Sequence, residues 1–418
     1  TSLLIALFLA GNIHAQKLLD IYKNGPVKLI PDTEFGKTND WDQIFETYND
    51  TIYGKHIGKR KSLIIMPDGS FIVNHAYRRF FTKFNPDGTF EKEFSIKSSS
   101  GKILKTPDIN GILNNEIFYT GVTNYGKMFC ADLEGNFIKT LSLDYMTSTI
   151  ITLPNKKLAV VGWAIWKTKL RDFVAIKDYE TGEEKIIWDY FAERDDSKII
   201  KVKVPMKNGK EDFLSYVYSG SVQSLRPRPI ITITKNNEIL LCIPPTGELI
   251  FFDLNGRKLR TSKVTWINSK RSVKEQQKLY ESRQEHFKSF EKDSGYVKRL
   301  GKEGAEKVSK FLIEQVEKEK DLFSIPKDLP YFSTIIQDSD NNILFFEYPK
   351  EEGANKFNVF TYNSEGKFVC QSSFICDDYN LVINPKKLVF FNGYLYGLQE
   401  LKNVEGVPIR LVRFKLEN

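Results

Sequence analysis

A hairpin motif that recurs at a constant interval constrains the fold of this chain more than any other feature. A polar turn that contains glycine separates two short apolar runs at Gly88, Gly135 and Gly182, and both intervals are 47 residues (135 − 88 and 182 − 135). Such turns favour tight hairpins, because glycine adopts positive φ without steric cost. Self-similarity at this period predicts a repeat architecture.

The repeating unit is a set of four short strands. Between Ser62 and Ile96 the apolar runs are 63–65, 71–73, 80–84 and 90–94, with turns at 67–69 and 86–88. Four antiparallel strands in about 35 residues make one blade of a β-propeller. Similar units are predicted at Asn110–Leu143, Thr147–Phe191, Pro229–Val264 and Phe332–Phe374, and a sixth begins at Leu381.

The sixth unit lacks a fourth strand, because the sequence stops after the run IRLVRFKL. A lone strand-like segment, Val27–Ile30, precedes the first unit. Pairing between these two segments would close the ring and remove exposed sheet edges. The predicted fold class is all-β: a six-bladed β-propeller closed by N- and C-terminal strands, with an inserted αα-hairpin.

The outer hairpins carry a family resemblance. The motifs are Phe84-Asn85-Pro86-Asp87-Gly88, Leu133-Glu134-Gly135, Phe252-Asp253-Leu254-Asn255-Gly256 and Tyr362-Asn363-Ser364-Glu365-Gly366. They resemble the NHL-like repeats of the secreted bacterial six-bladed β-propeller family, over most of residues 25–418. The resemblance implies a fold and export. The motifs specify blades and no chemistry.

Two segments do not follow the period. Residues 192–226 are rich in lysine and predict an accessory hairpin around Asn208-Gly209. Residues 269–330 predict a helical hairpin, in which Ser272 and Glu275 form a capping box. The apolar residues at helical spacing are Val273, Tyr280, Phe287, Phe290, Ala305, Val308, Leu312 and Val316.

The first residues predict export. The apolar run Leu3–Ala10 and the segment Ile13-His14-Ala15 are typical of a signal peptide at 1–15, which leaves a propeller at 16–418 in the periplasm or outside the cell. The same run is also compatible with a buried strand or helix. No later run has the ~18 apolar residues of a membrane span, so none is predicted.

Charge and cysteine content exclude several classes of protein. A net charge of +8 over 418 residues fits a soluble surface, and no basic face predicts nucleic-acid binding. The four cysteines are too few for a disulfide scaffold. Cys130 and Cys242 fit small core residues, whereas Cys370 and Cys376 either pair at a strand end or remain free.

The connectivity of a propeller places the candidate site. Both insertions join consecutive units, so they belong to the face opposite the short Asp-Gly and Asn-Gly turns. Arginine and aromatic side chains on that face suit a small anionic or carbohydrate-like ligand, although the aromatics could instead seal contacts between blades. The candidate ligand-binding residues are His56, Arg60, His75, Tyr77, Arg78, Trp163, Trp166, Arg226, Arg228, Tyr348 and Lys350.

Three functions are compatible with these observations. The favoured one is an exported, non-enzymatic propeller that binds a ligand or partner on the face with the long loops. The alternatives are a propeller-type hydrolase or lyase with an unrecognised metal site, and a scaffold that binds an envelope protein. No catalytic motif, metal site or cofactor is predicted; Asp338–Asn342 begins like a calcium loop but lacks its glycine and distal glutamate, so it predicts a turn.

Overall fold

The described residues form mainly antiparallel β-sheets, as the sequence predicts. The computed structural model describes residues 18–45, 62–74, 80–104, 107–113, 115–121, 126–153, 157–166, 169–193, 199–205, 211–217, 228–234, 236–348, 355–383, 387–405 and 407–418. Strands are numbered in chain order. Four separate sheets have four strands each, with their strands in sequential order.

The first two of these sheets match the first two predicted units. The first consists of β2 (Leu63–Ile65), β3 (Phe71–Asn74), β4 (Phe81–Phe84) and β5 (Phe90–Phe94). The second consists of β6 (Pro107–Leu113), β7 (Glu116–Gly121), β8 (Lys127–Asp132) and β9 (Phe137–Ser142).

The third sheet has longer strands than the others. It consists of β10 (Met146–Leu153), β11 (Lys157–Trp166), β12 (Lys169–Asp178) and β13 (Glu184–Glu193). The fourth consists of β16 (Ile230–Ile233), β17 (Ile239–Ile243), β18 (Glu248–Phe252) and β19 (Lys258–Lys263).

A nine-stranded sheet joins the two ends of the β-structure. Its first run is β22 (Thr334–Gln337), β23 (Ile343–Phe346), β24 (Lys356–Tyr362) and β25 (Phe368–Ile375). Its second run is β27 (Leu388–Phe391), β28 (Tyr394–Leu401), β29 (Ile409–Glu417) and β1 (Val27–Pro31), with β26 (Tyr379–Asn380) also on β28. β1 lies antiparallel to β29 and parallel to β25. The predicted pairing of Val27–Ile30 with the C-terminal strand is therefore confirmed.

An ion pair strengthens this closure. The guanidinium of Arg413, on β29, donates from Nε to Oδ2 of Asp32 at 2.9 Å, and it lies 5.0 Å from the ring centroid of Phe35. Burial alone would raise the pKa of Asp32, but the hydrogen bonds from Arg413 hold it below its usual value.

Apolar clusters join each sheet to the next. Phe71 and Phe84 of the first sheet pack in one cluster with Tyr396 and Leu411 of the nine-stranded sheet. The first strands also follow one another, because β6 contacts β10, β10 contacts β16, β16 contacts β22, β22 contacts β27, and β27 contacts β2. The sheets thus have a propeller-like arrangement with the core between their faces.

The turn glycines allow the sheets to approach closely. Gly135 has φ +81°, and a Cβ there would lie 2.3 Å from the backbone oxygen of Ser95. Its carbonyl oxygen accepts a hydrogen bond of 2.9 Å from the amide of Lys97, in the segment between the first and second sheets. Only glycine satisfies both the left-handed conformation and this contact.

The helices are α1 (Leu18–Lys23), α2 (Trp41–Ile44), α3 (Val273–Ser289), α4 (Ser294–Lys318, kinked at Gly301) and a 3₁₀ helix at Lys320–Phe323. The capping box of Ser272 and Glu275 is present at the start of α3. Val273 lies in the first turn of α3, and its exposed fraction is 44%. α1 and α2 are not predicted by the sequence analysis.

Smaller predictions have mixed outcomes. Asp338–Asn342 forms a turn, as expected. The accessory hairpin is present as β14 (Ile199–Pro205) and β15 (Glu211–Val217), and its predicted turn lies outside the described residues. All four cysteines are free, so Cys370 and Cys376 are not bonded to each other.

Candidate functional site

The two insertions pack against each other and share one apolar core. Two short strands, β20 (Lys270–Arg271) and β21 (Lys327–Asp328), pair at the base of the helical hairpin. We call residues 199–205, 211–217 and 270–328 the insertion module. The buried side chains of its core are Val204, Tyr216, Tyr280, Phe290, Leu300, Val308, Leu312, Val316 and Phe323. The sequence analysis predicts both insertions but not their association.

A buried carboxylate joins the β14–β15 hairpin to the helical insertion. The hydroxyl of Tyr216, on β15, donates to the carboxylate of Glu319, whose side chain is 2% exposed. Nη1 of Arg283, on α3, lies 3.7 Å from the same carboxylate. Because a buried carboxylate is costly without partners, this arrangement stabilises one relative position of hairpin and helices.

A second polar contact joins the two helices near their exposed side. The hydroxyl of Tyr280 donates to Glu317, and Nε2 of Gln284 donates to the same carboxylate at 2.9 Å. Burial and the neighbouring carboxylate raise the pKa of Tyr280 to about 12. The hydrogen bond from Tyr280 lowers the pKa of Glu317. These hydrogen bonds join α3 to α4 and stabilise the helical hairpin.

The outer surface of the module is partly apolar. The exposed fractions of Val273, Leu279, Leu322 and Ile325 are 44%, 42%, 45% and 57%. Val273 and Ile325 lie near each other because Arg271 pairs with Lys327, two residues from each. Isolated exposed apolar side chains need no explanation, but several within one small module indicate an interaction surface.

Basic side chains lie beside these apolar residues in the sequence. Lys274 and Lys278, on α3, form no ion pair with a described residue, and neither do Arg271 and Lys327 of the short strand pair. Acidic side chains, such as that of Glu275, are interspersed with them.

The predicted ligand-binding residues are only partly described. Seven of them lie outside the described residues, and their role stays a prediction: His56, Arg60, His75, Tyr77, Arg78, Arg226 and Lys350. The other four lie on three sheets or their borders: Trp163 and Trp166 on β11, Arg228 before β16, and Tyr348 after β23. Arg228 is exposed with φ +43°, and Tyr348 is 36% exposed.

The end of the third sheet carries a group that the sequence analysis missed. Nη2 of Arg171 donates to Oδ2 of Asp189 at 2.7 Å. The guanidinium carbon lies 5.0 Å from the ring centroid of Phe191 and 5.5 Å from that of Phe173. These residues alternate along long strands, so a pattern-based analysis assigns them only to the sheet.

The described residues offer no metal site. No group of three or more His, Cys, Asp or Glu side chains is placed to hold a metal ion in the part of the chain that the structure describes. The turn carboxylates are occupied by backbone hydrogen bonds; Oδ1 of Asp132, for example, accepts from the amides of Glu134 and Asn136 at 3.0 and 2.8 Å. These carboxylates therefore stabilise turns.

Comparisons with known proteins support the fold. No protein-family model matches the chain, and no curated protein matches it. A solved structure from the DUF4221 family of Bacteroides vulgatus is similar, with a TM-score of 0.51 and 11% identity over 95% of this chain and 100% of that chain. Virginiamycin B lyase from Staphylococcus aureus gives a TM-score of 0.38 at 10% identity, over 94% and 99% of the two chains. These neighbours are β-propellers. This chain has a β-propeller fold.

Among the described residues, none of the helices combines the length and apolar character that crossing a bilayer requires.

Proposed function

We propose that this chain is an exported, six-bladed, NHL-like propeller that binds a partner protein through its insertion module and catalyses no reaction. The blade count rests on dividing the nine-stranded sheet into two four-stranded runs, β22–β25 and β27-β28-β29-β1. Added to the four separate sheets, these runs give six blades. Export rests on the apolar run Leu3–Ala10 and on Ala15.

One observation carries the proposed binding function. Two insertions that are distant in sequence share a core, and the resulting module presents exposed apolar side chains. A loop that only connects two blades needs neither a core nor an apolar surface. Long segments held by a rigid scaffold are common binding elements.

The internal contacts favour a protein partner over a small ligand. The carboxylates of Glu317 and Glu319 are already bonded to Tyr280 and Tyr216. The apolar side chains that remain exposed include those of Val273 and Leu279. Apolar area of this kind is stabilised by burial against another protein.

The test is a comparison of two double variants in cells that produce this protein. The module variant is Leu279→Asp with Ile325→Asp; the control is Ile138→Asp with Phe368→Asp, whose original side chains are 43% and 45% exposed on the outer strands β9 and β25. In-cell cross-linking with quantitative mass spectrometry should show a partner that is bound by wild type and the control and reduced at least about tenfold with the module variant. A tenfold loss corresponds to about 1.4 kcal/mol.

Circular dichroism of both purified variants is the control for folding, and both spectra should match that of wild type. A cross-linked set that is identical for the two variants would contradict the proposal. So would a partner lost only with the control.

A further inference from the structure

β13 differs from the other outer strands that end a sheet. It has ten residues, whereas β5 has five and β9 and β19 have six each. Three of its apolar side chains are exposed: Ile186 at 39%, Tyr190 at 42% and Phe191 at 45%. Each of the other three strands exposes one such side chain. Proteins usually shorten an outer strand or place charges on it, because unpaired backbone groups recruit another strand.

The other outer strands show this protection. The centre of β5 is Glu91-Lys92-Glu93, and β19 contains Lys258, Arg260 and Lys263. The centre of β13 instead reads IIWDYF, residues 186–191. Among the described strands, only β12 is hydrogen-bonded to β13, which ends its sheet. The strand thus combines length, apolar side chains and an outer edge that no described strand covers.

The side chains of β13 divide between two faces. Ile186 is opposite Ala175, Asp189 is opposite Phe173, and Phe191 is opposite Arg171. A β-bulge at Ile187 restores the alternation, so that Trp188 and Tyr190 share the other face. Ile186, Asp189 and Phe191 therefore lie on one face at alternate positions.

We propose that β13 pairs antiparallel with β13 of a second copy of this chain, about a two-fold axis at Asp189. With the bulge counted as one position, Ile186 then lies opposite Phe191 of the second copy, and Trp188 lies opposite Tyr190. Each pair occurs twice. Aromatic and β-branched residues form favourable cross-strand pairs, and a two-fold interface requires such self-complementarity.

The charges nearest the proposed axis are compatible with this pairing. Asp189 lies opposite Asp189 of the second copy, which alone would be repulsive. Arg171, bonded to Asp189 at 2.7 Å, brings one positive charge per copy to the axis. Two guanidinium groups and two carboxylates then alternate, so the centre of the interface is neutral. This inference does not depend on the insertion module.

The first test measures the mass of the purified full chain by sedimentation over a broad concentration range. Wild type should be a dimer. Ile186→Lys should raise the dimer dissociation constant at least about 100-fold, because the substitution removes two buried apolar contacts per dimer. Ile138→Lys on β9 is the matched control, since Ile138 is 43% exposed on another outer strand, and this variant should remain dimeric.

The second test reads the register. A chain with Ile186→Cys mixed with a chain with Phe191→Cys should form a disulfide-linked dimer under mild oxidation, while each chain alone should not. A monomeric wild type overturns the proposal, as does a dimer that persists in Ile186→Lys. A disulfide-linked dimer that forms with either variant alone, and not with wild type, overturns the axis at Asp189.

Discussion

Two turns with the same hydrogen bonds lie in opposite environments. In the turn after β18, Oδ1 of Asp253 accepts from the amides of Asn255 and Arg257, both at 2.9 Å. In the turn after β22, Oδ1 of Asp338 accepts from the amides of Asp340 and Asn342, at 2.9 and 2.8 Å. The first aspartate is partly exposed, and the second is 4% exposed beneath α1.

The pKa values of the two aspartates are shifted in opposite directions from the usual value. Backbone hydrogen bonds, above all from Arg257, lower the pKa of Asp253. Burial raises the pKa of Asp338, although Asn342 and Tyr22 donate hydrogen bonds to it. The same local structure therefore has a different role at each site: one turn only shapes a hairpin, while the other also anchors α1 to the nine-stranded sheet.

The largest difference between the turns should appear when each carboxylate is removed. Asp338→Ala leaves buried donors of Tyr22, Asp340 and Asn342 without an acceptor, so we expect the free energy of unfolding to fall by about 3 kcal/mol. Chemical denaturation measures this loss. An equal loss in Asp338→Ala and Asp253→Ala would remove burial as the explanation.

The hydrogen bond from Tyr22 to Asp338 should contribute less to the free energy of unfolding than the whole Asp338 carboxylate does. Tyr22→Phe removes one hydrogen bond of 3.1 Å to Asp338 and keeps the ring against Phe374 at 5.8 Å. We expect a loss of about 1 kcal/mol. In the Asp338→Ala background the same substitution should cost nearly nothing in a double-mutant cycle, and a full additional loss would show that Tyr22 acts through another partner.

The exposed turn should tolerate substitution best. Asp253→Ala should lower the free energy of unfolding by about 0.5 kcal/mol, because water replaces the lost acceptor. The matched control is Asn363→Ala, since Asn363 accepts the equivalent hydrogen bonds from Glu365 and Lys367 without a charge. Similar losses would show that geometry, and not charge, stabilises these turns. A much larger loss for Asp253 would contradict that view.

The smallest effect should be a difference in pH dependence. The raised pKa of Asp338 gives a stabilising contribution that is complete below the unfolded-state value of about 3.9. It is lost as the pH rises through the folded-state pKa. The difference in stability between wild type and Asp338→Asn should therefore grow as the pH falls from neutrality toward about 4.

Asp253 should behave in the opposite way. Its lowered pKa gives a contribution that is complete above about 3.9 and is lost only as the pH falls below that value. The difference between wild type and Asp253→Asn should thus stay constant over the range in which the Asp338 difference changes. Parallel pH profiles for the two pairs would contradict the assigned directions.

Local patterns predicted the features that depend on neighbouring residues. Gly88 and Gly135 lie at predicted turns and have φ of +84° and +81°, and the capping box at Ser272 depends on residues three positions apart. The pairing of β1 with β29 was also predictable, because each segment lacked a partner in its own repeat.

Contacts between distant segments were not predictable. The bond from Tyr22 to Asp338 spans 316 positions, and that from Tyr216 to Glu319 spans 103. None of these four residues belongs to a periodic sequence pattern that reveals its partner. The shared core of the insertion module and the Arg171–Asp189 group also arise from tertiary packing, and local patterns do not reveal them. For that reason, the sequence predicted the two insertions but not the surface that they form together.

The joining of β1 to β29 has a consequence for synthesis of the chain. The bond between Asp32 and Arg413 spans 381 positions, so the earliest strand stays without its antiparallel neighbour while the ribosome makes nearly everything else. Earlier sheets can form during translation, but β1 can pair with β29 only after β29 has been synthesised. A premature stop anywhere upstream of Ile409 would therefore leave β1 without that neighbour, however many sheets had formed.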